Sequence, residues 1–233
     1  MVLFIGMLHS FMIDPFMEWR IPMQTNKVLV MNHIKEHATI YIFMIILFLT
    51  GIIFGAIIVN SMSFVQKQDL FFYLERFFGQ VVDEQQPGST ELLKDSFFYH
   101  AKYLLLLFVL GLSVIGLPIV WILLFIKGLV VGFSVGFIVN QLGAKGLLLA
   151  SLSIAPQNIL IIPVYIIAGS LSMIFSLTLL NKLFTRRISH SIFQPFGRYI
   201  TIFIFLLAGS LIAAVLEVYV ANGAMESLIK SFY

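Results

Sequence analysis

The sequence predicts an all-α integral membrane protein, a polytopic bundle of about five transmembrane helices with one re-entrant or broken segment. Two observations lead there. Of 233 residues, 60% are apolar and only 11% charged, whereas a soluble domain carries roughly 45–50% apolar and about 25% charged residues. The apolar residues also fall in runs that reach or exceed the roughly 20 residues a helix needs to cross a bilayer. The net charge of +3 is too small and too dispersed to suggest a nucleic-acid partner. There is no cysteine, which excludes disulfides and thiolate-ligated metal centres.

The first crossing is expected at Thr39 to Met62. The polar stretch that follows, Ser63 to His100, carries three bases against six acids, a net of −3. Residues 182–198 hold Lys182, Arg186, Arg187 and Arg198 and no acid. Lys and Arg mark cytoplasmic loops, so 182–198 and the N-terminus are expected inside and the 63–100 loop outside. Returning from outside to inside takes an odd number of crossings. Residues 103–142 are apolar except for Lys127 and twice too long for one span, so they must fold back, with Lys127-Gly128 as the expected inner turn. The next apolar stretch, 146–180, must then supply a single crossing, expected at about 159–181, with 147–156 as the re-entrant piece. A last outward span is expected from Tyr199 to Tyr219, with Glu217 near its outer end.

Within the outer loop, Leu70, Leu74, Phe77, Phe78 and Val81 recur at helical spacing among polar residues, which predicts an amphipathic helix. Its aromatic face suits a partner or the membrane surface. Ser89-Thr90-Glu91 reads as a helix start with a hydroxyl cap.

No catalytic motif is present. His33 and His37 have the spacing of a zinc pair but not its usual sequence context, so no metal or cofactor is expected. Gly51 and Gly55 in one span and Gly128, Gly132 and Gly136 in another are candidates for close helix packing. Pro156-Gln157-Asn158 is the candidate polar site inside the membrane, where a broken helix frees backbone dipoles. Lys127, at its expected turn, reads as a topology anchor that reaches the headgroups.

Several stretches together resemble the stage II sporulation protein M family of endospore-forming bacteria: NHIKEH at 32–37, GIIFGAIIVNS at 51–61, QKQDLFFYL at 66–74, FFGQV at 77–81, IGLPIVWILLFIKGLVVGFSVGFIVNQ at 115–141 and APQNILIIP at 155–163. The resemblance implies a multi-pass protein of the sporulation septum and the engulfing mother-cell membrane. It further implies a non-enzymatic scaffold that anchors and localises two peptidoglycan-degrading partners, stage II sporulation proteins D and P. A small channel or transporter using the broken helix is the alternative, and homo-oligomerisation stays open. The resemblance begins near residue 23, so residues 1–22 are expected to be a non-native or disordered extension and 23–233 a single membrane domain.

Overall fold

The computed structural model describes residues 35–82, 88–185 and 193–232, all but a few of them helical. The expected extension at 1–22 and His33 lie outside these residues. In chain order the helices are α1 (Ala38–Ser61), α2 (Phe64–Val82), α3 (Ser89–Gly111), α4 (Gly116–Ser153), α5 (Ala155–Thr185), α6 (Phe193–Leu216), a π-helical turn (Glu217–Ala221) and α7 (Asn222–Phe232). Among the described residues, four stretches are long and apolar enough to cross a membrane: α1, α4, α5 and the run from α6 into α7.

The fifth leg follows from packing. On α1, Ile40, Met44, Phe48, Gly51, Gly55 and Val59 are buried, one stripe at helical spacing. Its opposite face is equally apolar, with Ile42, Ile46 and Ile53 more than half exposed, as expected of a helix set between protein and lipid. The stripe meets α4, where Gly128 faces Phe48 and Ile52, Gly132 faces Ile52, and Gly136 faces Ala56 and Val59. Numbers rise together along both helices, so α1 and α4 run parallel. The chain between them must therefore travel back across the bundle, and α3 is the helix that does so.

The turn expected at Lys127-Gly128 lies elsewhere. Helix α4 runs unbroken through Lys127-Gly128, and the chain reverses at Leu112–Ile115 instead. Gly111 and Gly116 flank this turn, each so close to a neighbour that a side chain would overlap it: Tyr199 Oη at Gly111 and the Leu110 carbonyl at Gly116. Ser176 Oγ pins the turn by donating to the Ser113 carbonyl at 2.9 Å. Pro118 falls in the first turn of α4, where its missing donor leaves no bond unmade. Lys127 thus stands eleven residues into a helix, about 17 Å from its start.

Helix α4 is itself two pieces. Gly143 has φ 57° and ψ −130°, a conformation essentially reserved for glycine, and there the chain doubles back. Gly146 packs so tightly against the Ile138 carbonyl that a side chain would overlap it. The returning piece, 144–153, ends at Ile154 and α5 begins directly after it. This corresponds to the re-entrant segment expected at 147–156, with the break two residues ahead of Pro156. Helix α5 is the central element, buried on every side from Ala168 to Leu177.

The amphipathic helix expected in the 63–100 stretch forms as α2. It opens with a reciprocal cap in which the Ser63 amide donates to Gln66 Oε1 at 2.9 Å and the Gln66 amide to Ser63 Oγ at 3.4 Å, the capping-box arrangement. Helix α3 starts at Ser89, but its cap is the Gly88 backbone and no hydroxyl is used.

Candidate functional site

Ser96, Tyr99, His100 and Tyr103 occupy one face of α3, three and four residues apart. That face meets Lys127 of α4, Gln157 and Tyr165 of α5, and Glu217 at the first position of the π-helical turn. π-Helical turns are rare and concentrate at functional sites. Tyr99, His100, Lys127, Gln157, Tyr165 and Glu217 line a cavity of about 220 Å³, together with Phe48, Ser134 and Asn158.

Lys127 Nζ donates to Tyr99 Oη at 2.9 Å. It lies 4.3 Å from the Tyr99 ring centroid, 5.1 Å from that of Tyr103 and 5.0 Å from that of Tyr165. A lysine placed mid-membrane costs about 3 kcal/mol on insertion scales. A charge-assisted hydrogen bond returns about 2 kcal/mol, and each ring face about 1 kcal/mol. The cage therefore holds the ammonium at depth, and Lys127 does not act as the inner anchor read from the sequence.

Glu217 is the acceptor of a second cluster. Ser96 Oγ donates to its Oε2, and His100 Nε2 lies 3.4 Å from the same oxygen. With its amide nitrogen turned toward the carboxylate, Gln157 donates to Oε2 at 3.1 Å and to Oε1 at 3.2 Å. An ionised carboxylate only accepts, which places the ring proton of His100 on Nε2. Nδ1 of His100, which is 6% exposed, then accepts from Tyr165 Oη at 2.6 Å. Two clusters of opposite charge thus share one cavity, with Lys127 in electrostatic range of Glu217.

The structure distributes the other candidates as follows. Of Pro156, Gln157 and Asn158, the proline sits in the first turn of α5 and breaks nothing. Asn158 Nδ2 donates to the Ile154 carbonyl at 2.7 Å, satisfying the end of the returning piece, and Gln157 joins the Glu217 cluster. Gly51, Gly55, Gly128 and Gly132 all lie at the α1–α4 contact, where an added Cβ would overlap a facing carbonyl: Phe125 at Gly51, Leu129 at Gly55, Phe48 at Gly128 and Ile52 at Gly132. Gly136 is looser, its nearest neighbour, Ala56 Cα, standing 3.4 Å from such a Cβ.

On α2 the expected partner face is divided. Phe78 is buried against Leu149 and Ile229, with Leu74 packed beside it, because the apolar stripe of α7 folds back onto this side. Leu70 is half-buried. Phe77 is 42% exposed, and Phe72 and Tyr73 are 62% and 65% exposed.

The sequence reading missed His100, Tyr99, Tyr165 and Ser96 as members of a site. The three- and four-residue spacing on 96–103 was a usable signal, but Glu217 is more than a hundred residues away and only the fold joins them. Among the described residues no group of three His, Asp or Glu is placed to hold a metal.

Neither a curated protein nor a solved structure matches the chain significantly. The family model described as stage II sporulation protein M matches residues 44–222, from the middle of α1 to the start of α7 and so across every group of the cavity. The chain belongs to the stage II sporulation protein M family.

Proposed function

We propose that this sporulation-related, multi-pass membrane protein is a non-enzymatic platform that positions peptidoglycan hydrolases, the stage II sporulation proteins D and P, at the septum and engulfing membrane. One observation carries the reading. Outside the bundle, α2 is held by Phe78, Leu149 and Ile229 against α7 and the returning piece of α4, and it leaves Phe72, Tyr73 and Phe77 exposed on a fixed support. A rigid element offering aromatic side chains is the kind of surface on which binding energy concentrates.

The channel alternative is less well supported. Toward the 112–115 turn, three of the helices that line the cavity continue into Leu104 and Leu107 of α3, Val120 and Leu124 of α4, and Ala168 and Met173 of α5. All are 0–1% exposed, a close-packed plug beneath the polar groups.

The test replaces Phe72 and Tyr73 with Asp and follows a fluorescent hydrolase in sporulating cells. Loss of septal localisation is expected at an unchanged membrane level of the variant. Normal localisation with a normally inserted variant would refute the platform role of this face.

A further inference from the structure

Two cavities are neighbours in the bundle, the second open at its surface, where Leu147 and Ile159 are 56% and 71% exposed. The polar one carries Lys127 on one wall and Glu217 on another. The second, about 530 Å³, is a largely apolar groove whose walls include Val135, Leu147, Ile159 and Pro163. Val131, Ile154, Asn158 and Ile162 line both, so the polar chamber and the groove lie side by side. Water satisfies a polar chamber but leaves an apolar groove unfilled. A hydrocarbon chain does the reverse. A molecule with a charged end and an apolar end satisfies both.

The charges specify that end. Lys127 offers an ammonium already held by Tyr99 and would attract a phosphate or carboxylate. Glu217 takes Ser96, His100 and Gln157 on Oε2, while Oε1 receives the longer arm of Gln157, and it would attract an ammonium. A purely anionic head group would stand against Glu217, and a purely cationic one against Lys127. We propose that the two adjacent cavities together bind a lipid with a zwitterionic head group, its anionic group on Lys127, its ammonium on Glu217 and a chain in the groove. This site is independent of the hydrolase platform on α2.

The full chain, purified in a maltoside detergent, is mixed with equal amounts of phosphatidylethanolamine and phosphatidylglycerol of identical chains, and retained lipid is measured by native mass spectrometry. A preference for the zwitterionic lipid of about tenfold is expected, the size of effect when one ligand charge loses its partner. Glu217→Gln should bring the ratio near one, because only the ammonium of phosphatidylethanolamine uses that carboxylate. Lys127→Met removes the phosphate partner of both lipids and should lower the retention of each while leaving the preference. Lys127→Arg, which keeps the charge, should preserve the preference and guards against misreading a folding defect. Phosphatidylethanolamine should also raise the melting temperature of the wild-type protein more than phosphatidylglycerol does. Equal retention of the two lipids, a preference that survives Glu217→Gln, retention unchanged by Lys127→Met, or a preference lost in Lys127→Arg would overturn the charge assignment. Displacement of the lipid by equimolar glycerophosphoethanolamine would show that the ligand is a soluble zwitterion and overturn the lipid.

Discussion

Glycine at 132 and glycine at 136 look equivalent in a small-residue repeat, yet they differ in what a methyl group would meet. At Gly132 it would overlap the Ile52 carbonyl, a backbone atom that cannot yield without moving α1, whereas at Gly136 it would touch Ala56 at ordinary contact distance. Gly132→Ala should therefore cost about 1–3 kcal/mol as an overpacked site and lower the folded fraction in the membrane. Gly136→Ala should be near neutral, as should Gly197→Ala, where nothing lies within 4 Å. Thermal melting of the three variants in detergent checks the order, and equal losses at 132 and 136 would contradict the close-contact geometry. These glycines were legible in the sequence because backbone approach between membrane helices needs small residues at fixed spacing. Lys127 was not, because its environment is made by tyrosines of α3 and α5 that no local pattern ties to it. A second residue-level expectation concerns Gly143: its backbone conformation is essentially glycine's alone, so Gly143→Ala should destabilise by about 1–3 kcal/mol, read from the same melts.

At the scale of elements, α2 shows why an amphipathic pattern identifies a helix without identifying what covers it. Both Phe77 and Phe78 belong to the apolar side, but α7 packs back onto Phe78 and leaves Phe77 outside. Phe78→Ala should cost about 3 kcal/mol, the usual loss for a buried aromatic, and Phe77→Ala much less. Limited proteolysis of the outer helices reports the difference, with Phe78→Ala cut faster; equal rates for both would show that the α2–α7 contact is not structural. The inner turn at 112–115 was missed for a different reason. Its residues Leu112, Val114 and Ile115 are apolar, and a lone lysine outweighed the better signal, the cluster of Gly111, Ser113, Gly116 and Pro118 that marks a reversal. The returning piece was anticipated from length and parity, whereas the residue that turns it, Gly143, became evident only from the backbone.

For the whole molecule, moving one turn by about a dozen residues changes the meaning of the chain's interior. With a turn at Lys127 the bundle would hold its only mid-span charge of the 103–142 run at the surface. With the turn at Leu112–Ile115, α3 runs back along the bundle, and its polar face, Lys127 and Glu217 converge at one cavity. The expected number of legs and sidedness of the loops rest on charge asymmetry and parity, which depend on totals and tolerate local error. The polar cavity depends on register between α3, α4 and α5, and a shift of a few residues erases it. The most direct measurement is single-cysteine labelling in this cysteine-free chain at Gln68 in α2, Ser113 in the turn and Ser227 in α7, with a membrane-impermeant maleimide. Intact cells should label Gln68→Cys and Ser227→Cys, and Ser113→Cys should react only once the cytoplasmic side is opened. Labelling of Ser113→Cys in intact cells, or protection of Gln68→Cys, would contradict the crossing of α3 and with it the cavity that α3 helps to build.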